Sequence, residues 1–187
     1  MRPRTIGLVL IAIGLVGLVG TAWVAGASGN DHFGRAPGAF YGTRGGSTCT
    51  PPALSGQSVD VILSDMGGGM MESGRMMSVS ATPATVASGD VSFRVWNQSL
   101  MMLHELVVMP LGQGRGGARP IGSDGRVSED ESLGEASNAC GQGAGEGIPP
   151  GSASWVTLHL DQGRYELICN LPGHYARGMY TGLDVTS

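Results

Sequence analysis

The chain has 187 residues, of which 41% are hydrophobic, 33 are glycine and none is lysine, and its formal net charge is −4. Glycine in a helix interior costs about 1 kcal/mol relative to alanine, so this composition disfavours a helical bundle and favours short strands joined by turns. The negative charge excludes the basic surface that nucleic-acid binding requires, and we expect no nucleic-acid partner.

The first 27 residues are typical of a targeting segment. Arg2 and Arg4 precede an almost wholly apolar stretch at residues 6–26. This stretch fits a cleaved secretory signal with a small-residue exit at 25–27, and it also fits a retained helical membrane anchor of about 20 residues. Both alternatives place the rest of the chain outside the cytoplasm, in the periplasm or on the outer face of the membrane, either secreted or anchored.

A Gly-, Ser- and Ala-rich tether at residues 28–48 is expected to connect this leader to a single domain at 49–187. From Val59 onward apolar residues recur with period two between turns, which predicts short strands and no helix after the leader. The expected fold is an all-β antiparallel sandwich preceded by an N-terminal apolar helix. The predicted strands lie at residues 59–63, 75–81, 91–97, 103–109, 155–160, 164–169 and 179–185.

Residues 111–151 interrupt this pattern with a long segment that has no periodicity and contains 12 glycines. A connection of this length is expected to be either functional or disordered. Its acidic run Glu129-Asp130-Glu131 fits a solvated loop, and the alternative is a docking site for a basic partner.

One short motif carries metal-binding chemistry. Cys169, His174 and Met179 follow a C-x4-H-x4-M pattern that starts at the end of a predicted strand and passes through a Pro-Gly turn. His104 lies far upstream, on the same face of another predicted strand as Leu106 and Val108. A thiolate, two imidazoles and a weak axial thioether form the ligand set of blue-copper electron-transfer centres.

The segment 166–179, Glu-Leu-Ile-Cys-Asn-Leu-Pro-Gly-His-Tyr-Ala-Arg-Gly-Met, resembles the copper loop of cupredoxins, with a spacing most similar to that of sulfocyanin and rusticyanin. The resemblance covers roughly residues 55–187 and is sharp at 164–181. It implies a Greek-key β-sandwich with one type 1 copper ion at one end, which carries single electrons between redox protein partners. The four ligands that it implies are His104, Cys169, His174 and Met179.

The resemblance also implies how electrons enter the site, and this chain departs from the family pattern at one position. His174 would be the partly exposed ligand through which electrons pass, with Leu171, Pro172 and Met101 or Met102 forming an apolar docking patch around it. Family members often carry Asn or Ser after the first His, and that side chain ties the two ligand segments together. Here Glu105 occupies the position and, by strand alternation, points away from the ligand face.

The three cysteines of an exported chain leave one unpaired. The economical assignment is a disulfide between Cys49 and Cys140, which frees Cys169 for the metal; the alternative makes Cys169 half of a disulfide. The Cys49–Cys140 bridge would attach the start of the domain to the long segment 111–151.

We expect no enzymatic activity. Multicopper oxidases need additional histidines in clustered pairs, and only two further histidines exist, His32 in the tether and His159 on the outer face of a strand. The Gly-rich stretch 65–70 lacks the Lys-Ser/Thr of a phosphate-binding loop.

A methionine cluster keeps a second function open. Thioethers bind Cu(I), so this cluster fits an accessory copper site in a periplasmic or extracellular copper carrier or buffer, although packing and loop roles explain it equally well. Its members are Met66, Met70, Met71, Met76 and Met77.

Overall fold

A computed structural model describes residues 49–65 and 77–187. In this part of the chain the regular elements are nine β-strands and a single 3₁₀ turn at Tyr175–Arg177. The strands are β1 (Gln57–Ser64), β2 (Ser78–Thr82), β3 (Thr85–Ala87), β4 (Gly89–Asn97), β5 (Leu106–Pro110), β6 (Gly134–Ala136), β7 (Ala153–Leu160), β8 (Gly163–Ile168) and β9 (Tyr180–Thr186).

The strands form two sheets, with the orders β2-β1-β4-β7 and β3-β9-β8-β5-β6. The prediction of an all-β sandwich is confirmed, but the prediction that it is antiparallel is wrong, because β1 pairs with β4 and β3 with β9 in parallel. Between β1 and β4 the chain first forms β2 and then crosses to the other sheet as β3. This long connection lets β4 return beside β1 in the same direction. The predicted N-terminal helix lies outside the described residues.

The alternation in the sequence predicts which side chains fill the space between the sheets. Val91, Phe93 and Val95 of β4 are fully buried, and Asn97 on the same face is buried as well. Burying an aliphatic or aromatic side chain of this size stabilises the fold by about 1.5–3 kcal/mol. Strands β3 and β6 were not predicted, and β5 begins at Leu106 rather than at residue 103.

The segment 111–151 is held to the sandwich by the predicted disulfide and by backbone hydrogen bonds. Cys49 and Cys140 form the disulfide. The Cys140 N–H donates to the Ala153 carbonyl (2.8 Å), and the Gly143 N–H donates to the Trp155 carbonyl (2.9 Å). Residues 140–143 thus lie along the free edge of β7, the last strand of its sheet.

The strand pairings bring three chain segments to one end of the second sheet. Val107 near the start of β5 pairs with Ile168 at the end of β8, and Ile168 pairs with Tyr180 at the start of β9. The residues just before β5 and the whole β8–β9 connection at 169–179 therefore meet at this end.

Within the described ranges, no helix is long and apolar enough to cross a membrane. The leader at residues 1–27 and the tether at 28–48 lie outside the described residues, as does most of the methionine cluster.

Candidate metal centre

His104 is placed by a short backbone bridge rather than by a regular strand. Its N–H donates to the Ile148 carbonyl (3.2 Å), and the Ile148 N–H donates to the His104 carbonyl (2.7 Å). The side-chain amide of Asn97 supports the same place, because it donates to the Ile148 and Met102 carbonyls, both at 2.7 Å. These bonds fix the imidazole of His104 at the end of the sandwich, facing the β8–β9 connection.

The β8–β9 connection, residues 169–179, is called the ligand loop below. Its two ends meet through the Cys169 N–H, which donates to the Met179 carbonyl (3.0 Å). The Met179 N–H donates in turn to the His174 carbonyl (3.2 Å), and the 3₁₀ turn lies between them. These two hydrogen bonds close the ligand loop and hold its three candidate ligands, Cys169, His174 and Met179, close together.

The structure brings His104, Cys169 and His174 together in one buried group. The Cys169 Sγ lies 3.3 Å from the His174 Nδ1 and 3.8 Å from the His104 Nδ1, and the two Nδ1 atoms are 3.3 Å apart. Metal–nitrogen and metal–sulfur bonds of about 2.1 and 2.3 Å would separate such donors by roughly 3.4–3.8 Å around a three- or four-coordinate ion. The donor spacing therefore fits a single metal ion at the centre of the group.

Burial keeps both imidazoles uncharged and available as ligands. His104 is fully buried and His174 is nearly so. Desolvation, followed by the charge of His174, lowers the pKa of His104 to about 4. Desolvation and the nearby Arg177 lower the pKa of His174 as well. A neutral imidazole is the form that binds a metal.

Burial shifts the pKa of the Cys169 thiol upward, opposite to its effect on the two imidazoles. Desolvation raises its pKa to about 12. A metal ion therefore has to displace this proton, and the thiolate–metal bond then replaces a buried S–H group. Cys169 is the free cysteine of the described residues, as the disulfide assignment requires.

Met179 is completely buried and belongs to the same core cluster as Cys169. Its backbone position is fixed by the bonds to Cys169 and His174 described above, at the closing end of the ligand loop. Its role as an axial ligand remains a prediction.

The donor set indicates copper. Two imidazoles and one thiolate in a buried group, with a methionine at the end of the same loop, are soft and borderline donors of the blue-copper type. The Nδ1 of His104 faces the other two donors, and its Nε2 is buried without a hydrogen-bond partner among the described residues.

No family model and no curated protein matches the chain. Solved structures do match it. Reduced auracyanin from the photosynthetic bacterium Roseiflexus castenholzii is 17% identical over 71% of this chain and 100% of that chain, with a TM-score of 0.46. Rusticyanin from Thiobacillus ferrooxidans is 18% identical over 74% of this chain and 86% of that chain, with a TM-score of 0.45. Auracyanin A from Chloroflexus aurantiacus, described as a "blue" copper protein, is 19% identical over 69% and 99%, with a TM-score of 0.43.

The chain resembles the cupredoxins.

Glu105, the residue after His104, links the two ligand segments through its backbone. The backbone N–H of Glu105 lies 3.4 Å from the Cys169 Sγ, within the range for a hydrogen bond to sulfur. The Glu105 side chain is buried on the other side, with its Oε1 4.0 Å from Arg126 Nη1, too far for a hydrogen bond. A backbone N–H of one ligand segment thus reaches the cysteine sulfur of the other, whereas Asn97, which was not predicted as a functional residue, braces His104 through the Ile148 and Met102 carbonyls.

The predicted docking patch is exposed in part. Met101 is 87% exposed and Leu100 is 70% exposed, on the chain segment that leads to His104. Pro172 is exposed, whereas Leu171 and Met102 are partly buried against the core. Leu100 was not predicted as a member of this patch. Its position four residues before His104 could have indicated that it lies near the site.

The remaining candidate residues lie elsewhere. His159 is exposed on β7, and its Nδ1 is 2.9 Å from Asp90 Oδ1, in agreement with a surface role. Met77 is buried in the core. The other four cluster methionines and His32 lie outside the described residues.

Proposed function

We propose that this chain is an extracytoplasmic type 1 copper protein that carries single electrons between redox protein partners by cycling one ion between Cu(I) and Cu(II). The observation that carries the proposal is the buried group of His104, Cys169 and His174, whose donor atoms are 3.3–3.8 Å apart. In the proposal these three residues bind the ion, and Met179 is the weak axial ligand.

The bound ion would gain and lose the electron. The protein would hold the ligand atoms in nearly the same positions in both oxidation states. His104 is braced by Asn97 and Ile148, and Cys169 receives the Glu105 N–H. Because the donors are fixed by backbone bridges, a change of oxidation state would move them little. Small movement favours rapid transfer without a proton or substrate entering the site.

Partner docking is proposed at the apolar surface beside the site. His174 retains a small exposed area, and Leu100, Met101 and Pro172 provide apolar exposed surface at the same end of the sandwich. A small apolar contact suits redox encounters, because the partners have to separate quickly.

Two features support a place outside the cytoplasm. The Cys49–Cys140 disulfide requires an oxidising compartment in most organisms. The apolar leader at residues 6–26 would direct export and, if retained, anchor the domain through the tether at 28–48. The N-terminal sequence of the mature protein in the membrane and soluble fractions distinguishes anchor from cleaved signal.

The test of the proposal is a visible spectrum of the chain with Cu(II), followed by reduction. One copper per chain and an intense thiolate–Cu(II) band that bleaches on reduction are expected. Cys169→Ala should abolish the band, and the matched control His159→Ala should keep it, because His159 lies on the outer face of β7. A band that survives in the Cys169→Ala variant would overturn the assignment.

The same titration addresses the second candidate, a copper carrier or buffer. That function predicts tight Cu(I) binding without an intense band, and a second Cu(I) equivalent that disappears when Met70, Met71, Met76 and Met77 become Leu. A stoichiometry of one, unchanged by those substitutions, would reject it.

A further inference from the structure

Residues 117–127, called the strap below, lie against the outer side of the ligand loop. The Gly125 carbonyl accepts the Gly173 N–H (2.8 Å). The Val127 N–H donates to the Asn170 side-chain oxygen (2.8 Å), and the Asn170 amide donates back to the Val127 carbonyl (3.0 Å). These contacts reach the loop next to Cys169 and next to His174, so the strap holds the loop beside two of the proposed ligands.

The approach of strap and loop is close enough to require glycine. Gly125 and Gly173 have φ angles of +80° and +78°, which L side chains rarely adopt. A Cβ on Gly125 would lie 3.0 Å from the Gly173 nitrogen and 3.5 Å from the Pro172 backbone, both in the ligand loop. The two backbones therefore meet directly, with no side chain between them.

A buried carboxylate joins the strap to the residue after His174. Glu166 on β8 is fully buried and receives the Gly117 N–H (2.6 Å), the Arg119 Nε–H (2.7 Å) and the Tyr175 hydroxyl (3.1 Å). The Arg119 N–H lies 3.2 Å from the Tyr175 hydroxyl oxygen and donates to it. The Tyr175 hydroxyl is thus held from both sides, by the strap and by the sheet.

The guanidinium of Arg119 completes the network. Its Nη2 donates to the Pro110 carbonyl at the end of β5 (2.5 Å). A buried ion pair contributes little net stability compared with well-packed apolar residues, because both charges lose their water. Here the ion pair connects the strap to Glu166, which in turn accepts the Tyr175 hydroxyl beside His174.

We propose that Tyr175, held by Glu166 and Arg119, is a positioning residue for His174. It keeps the outer side of the ligand loop in place before the metal binds and limits the movement of the His174 imidazole when the oxidation state changes. The inference depends on the proposed function for its redox consequence. The positioning of the ligand loop itself is expected in the metal-free protein as well.

The test compares Tyr175→Phe with the control Tyr165→Phe in the full chain. Each variant removes one hydroxyl and keeps the ring. The Tyr165 hydroxyl donates to the Asp161 carbonyl (2.8 Å) at the opposite end of β8, far from the ligand loop. Three quantities are measured: hydrogen exchange of the Gly173 amide in the metal-free protein, and the electron self-exchange rate and reduction potential of the copper-loaded protein.

Tyr175→Phe is expected to speed exchange of the Gly173 amide by about tenfold, the factor that corresponds to the loss of one to two net hydrogen bonds. We also expect a severalfold slower electron self-exchange rate and a shifted reduction potential. Arg119→Met should change them in the same direction, because it removes the guanidinium that holds Glu166 and Pro110, while the Arg119 backbone N–H still reaches the Tyr175 hydroxyl. Tyr165→Phe should leave all three quantities unchanged.

Two results would overturn the inference. One is wild-type Gly173 exchange, self-exchange and potential in both Tyr175→Phe and Arg119→Met. The other is an equal change in Tyr165→Phe, which would mean a general loss of stability. Failure of the proposed function is a separate result: the wild-type chain would form no thiolate–copper band, while amide exchange in the metal-free protein would still test the positioning of the loop.

Discussion

Replacing Glu105 by Gln should change the pH dependence of stability in the metal-free protein. The Glu105 side chain is only 7% exposed, and its Oε1 has no hydrogen-bond partner among the described residues. Burial, reinforced by the charges of Glu135 and Glu129, raises its pKa to about 7 from an ordinary 4.5, against the smaller opposite effects of Arg126 and of a hydrogen bond with the Asn170 backbone. Ionised Glu105 is therefore unfavourable in the folded state, and Gln removes that ionisation.

The magnitude follows from the two pKa values. Between pH 4.5 and pH 7 the folded protein retains a proton that the unfolded chain has lost, so the free energy of unfolding falls as the pH rises. The difference of about 2.5 pKa units (7 − 4.5) corresponds to about 3 kcal/mol, at 1.36 kcal/mol per unit. Glu105→Gln should leave the stability at pH 4 almost unchanged and raise it by about 3 kcal/mol at pH 8.

The assay is urea unfolding of the metal-free protein at several pH values, with Glu131→Gln as the control because the Glu131 side chain is exposed. Other groups titrate equally in all three proteins and cancel in the difference between variant and wild type. The control should show no increase at pH 8. A Glu105→Gln difference that is the same at pH 4 and pH 8 would refute the reasoning, because it would show that Glu105 ionises normally in the folded state.

Three further results are expected. Copper affinity should rise about tenfold per pH unit between pH 5 and 8, measured by competition titration, because binding displaces the proton that burial holds on Cys169; a pH-independent affinity would contradict this. Asp65→Asn should raise the reduction potential, because the Asp65 carboxylate favours positive charge on both site imidazoles, whereas the control Asp161→Asn at the far end of the sandwich should not. Replacing Cys49 and Cys140 together by Ser removes a cross-link between residues 91 positions apart and should lower the free energy of unfolding by about 2–5 kcal/mol. Denaturant unfolding measures this loss, and an unchanged free energy of unfolding would contradict a stabilising role of the disulfide.

The candidate site could be predicted from the sequence because most of its residues are close together along the chain. Cys169 and His174 lie on one tight loop, and the C-x4-H-x4-M pattern, together with its resemblance to the cupredoxin copper loop, predicted that they meet. His104 required a second signal, its position on an apolar face with Leu106, and the structure confirms that it joins the other two. Met179 was placed by the same spacing, and its ligand role stays a prediction.

The pairing of strands was less accessible. A period-two pattern shows which side chains point inward, but it does not show which strand lies alongside or in which direction. The parallel pair β1–β4 was therefore missed. Strands β3 and β6 have only three residues each, too few for alternation to be recognised.

The strap was invisible in the sequence for a different reason. Its order comes from single long-range hydrogen bonds to Asn170, Gly173 and Tyr175, and such bonds leave no periodic signal. The burial of Glu166 was equally hidden, because a charged residue in a strand is expected to face solvent unless its partner is known. Here the partner, Arg119, is 47 residues away.

The covered edge of β7 has a consequence for solubility. An uncovered edge strand presents free N–H and C=O groups that can pair with another copy of the chain and start aggregation. Residues 140–143 occupy those groups at Ala153 and Trp155, and the Cys49–Cys140 disulfide keeps them there. Reducing the disulfide is therefore expected to release a template for intermolecular sheet growth, so that light scattering increases under reducing conditions while the protein remains below its unfolding temperature.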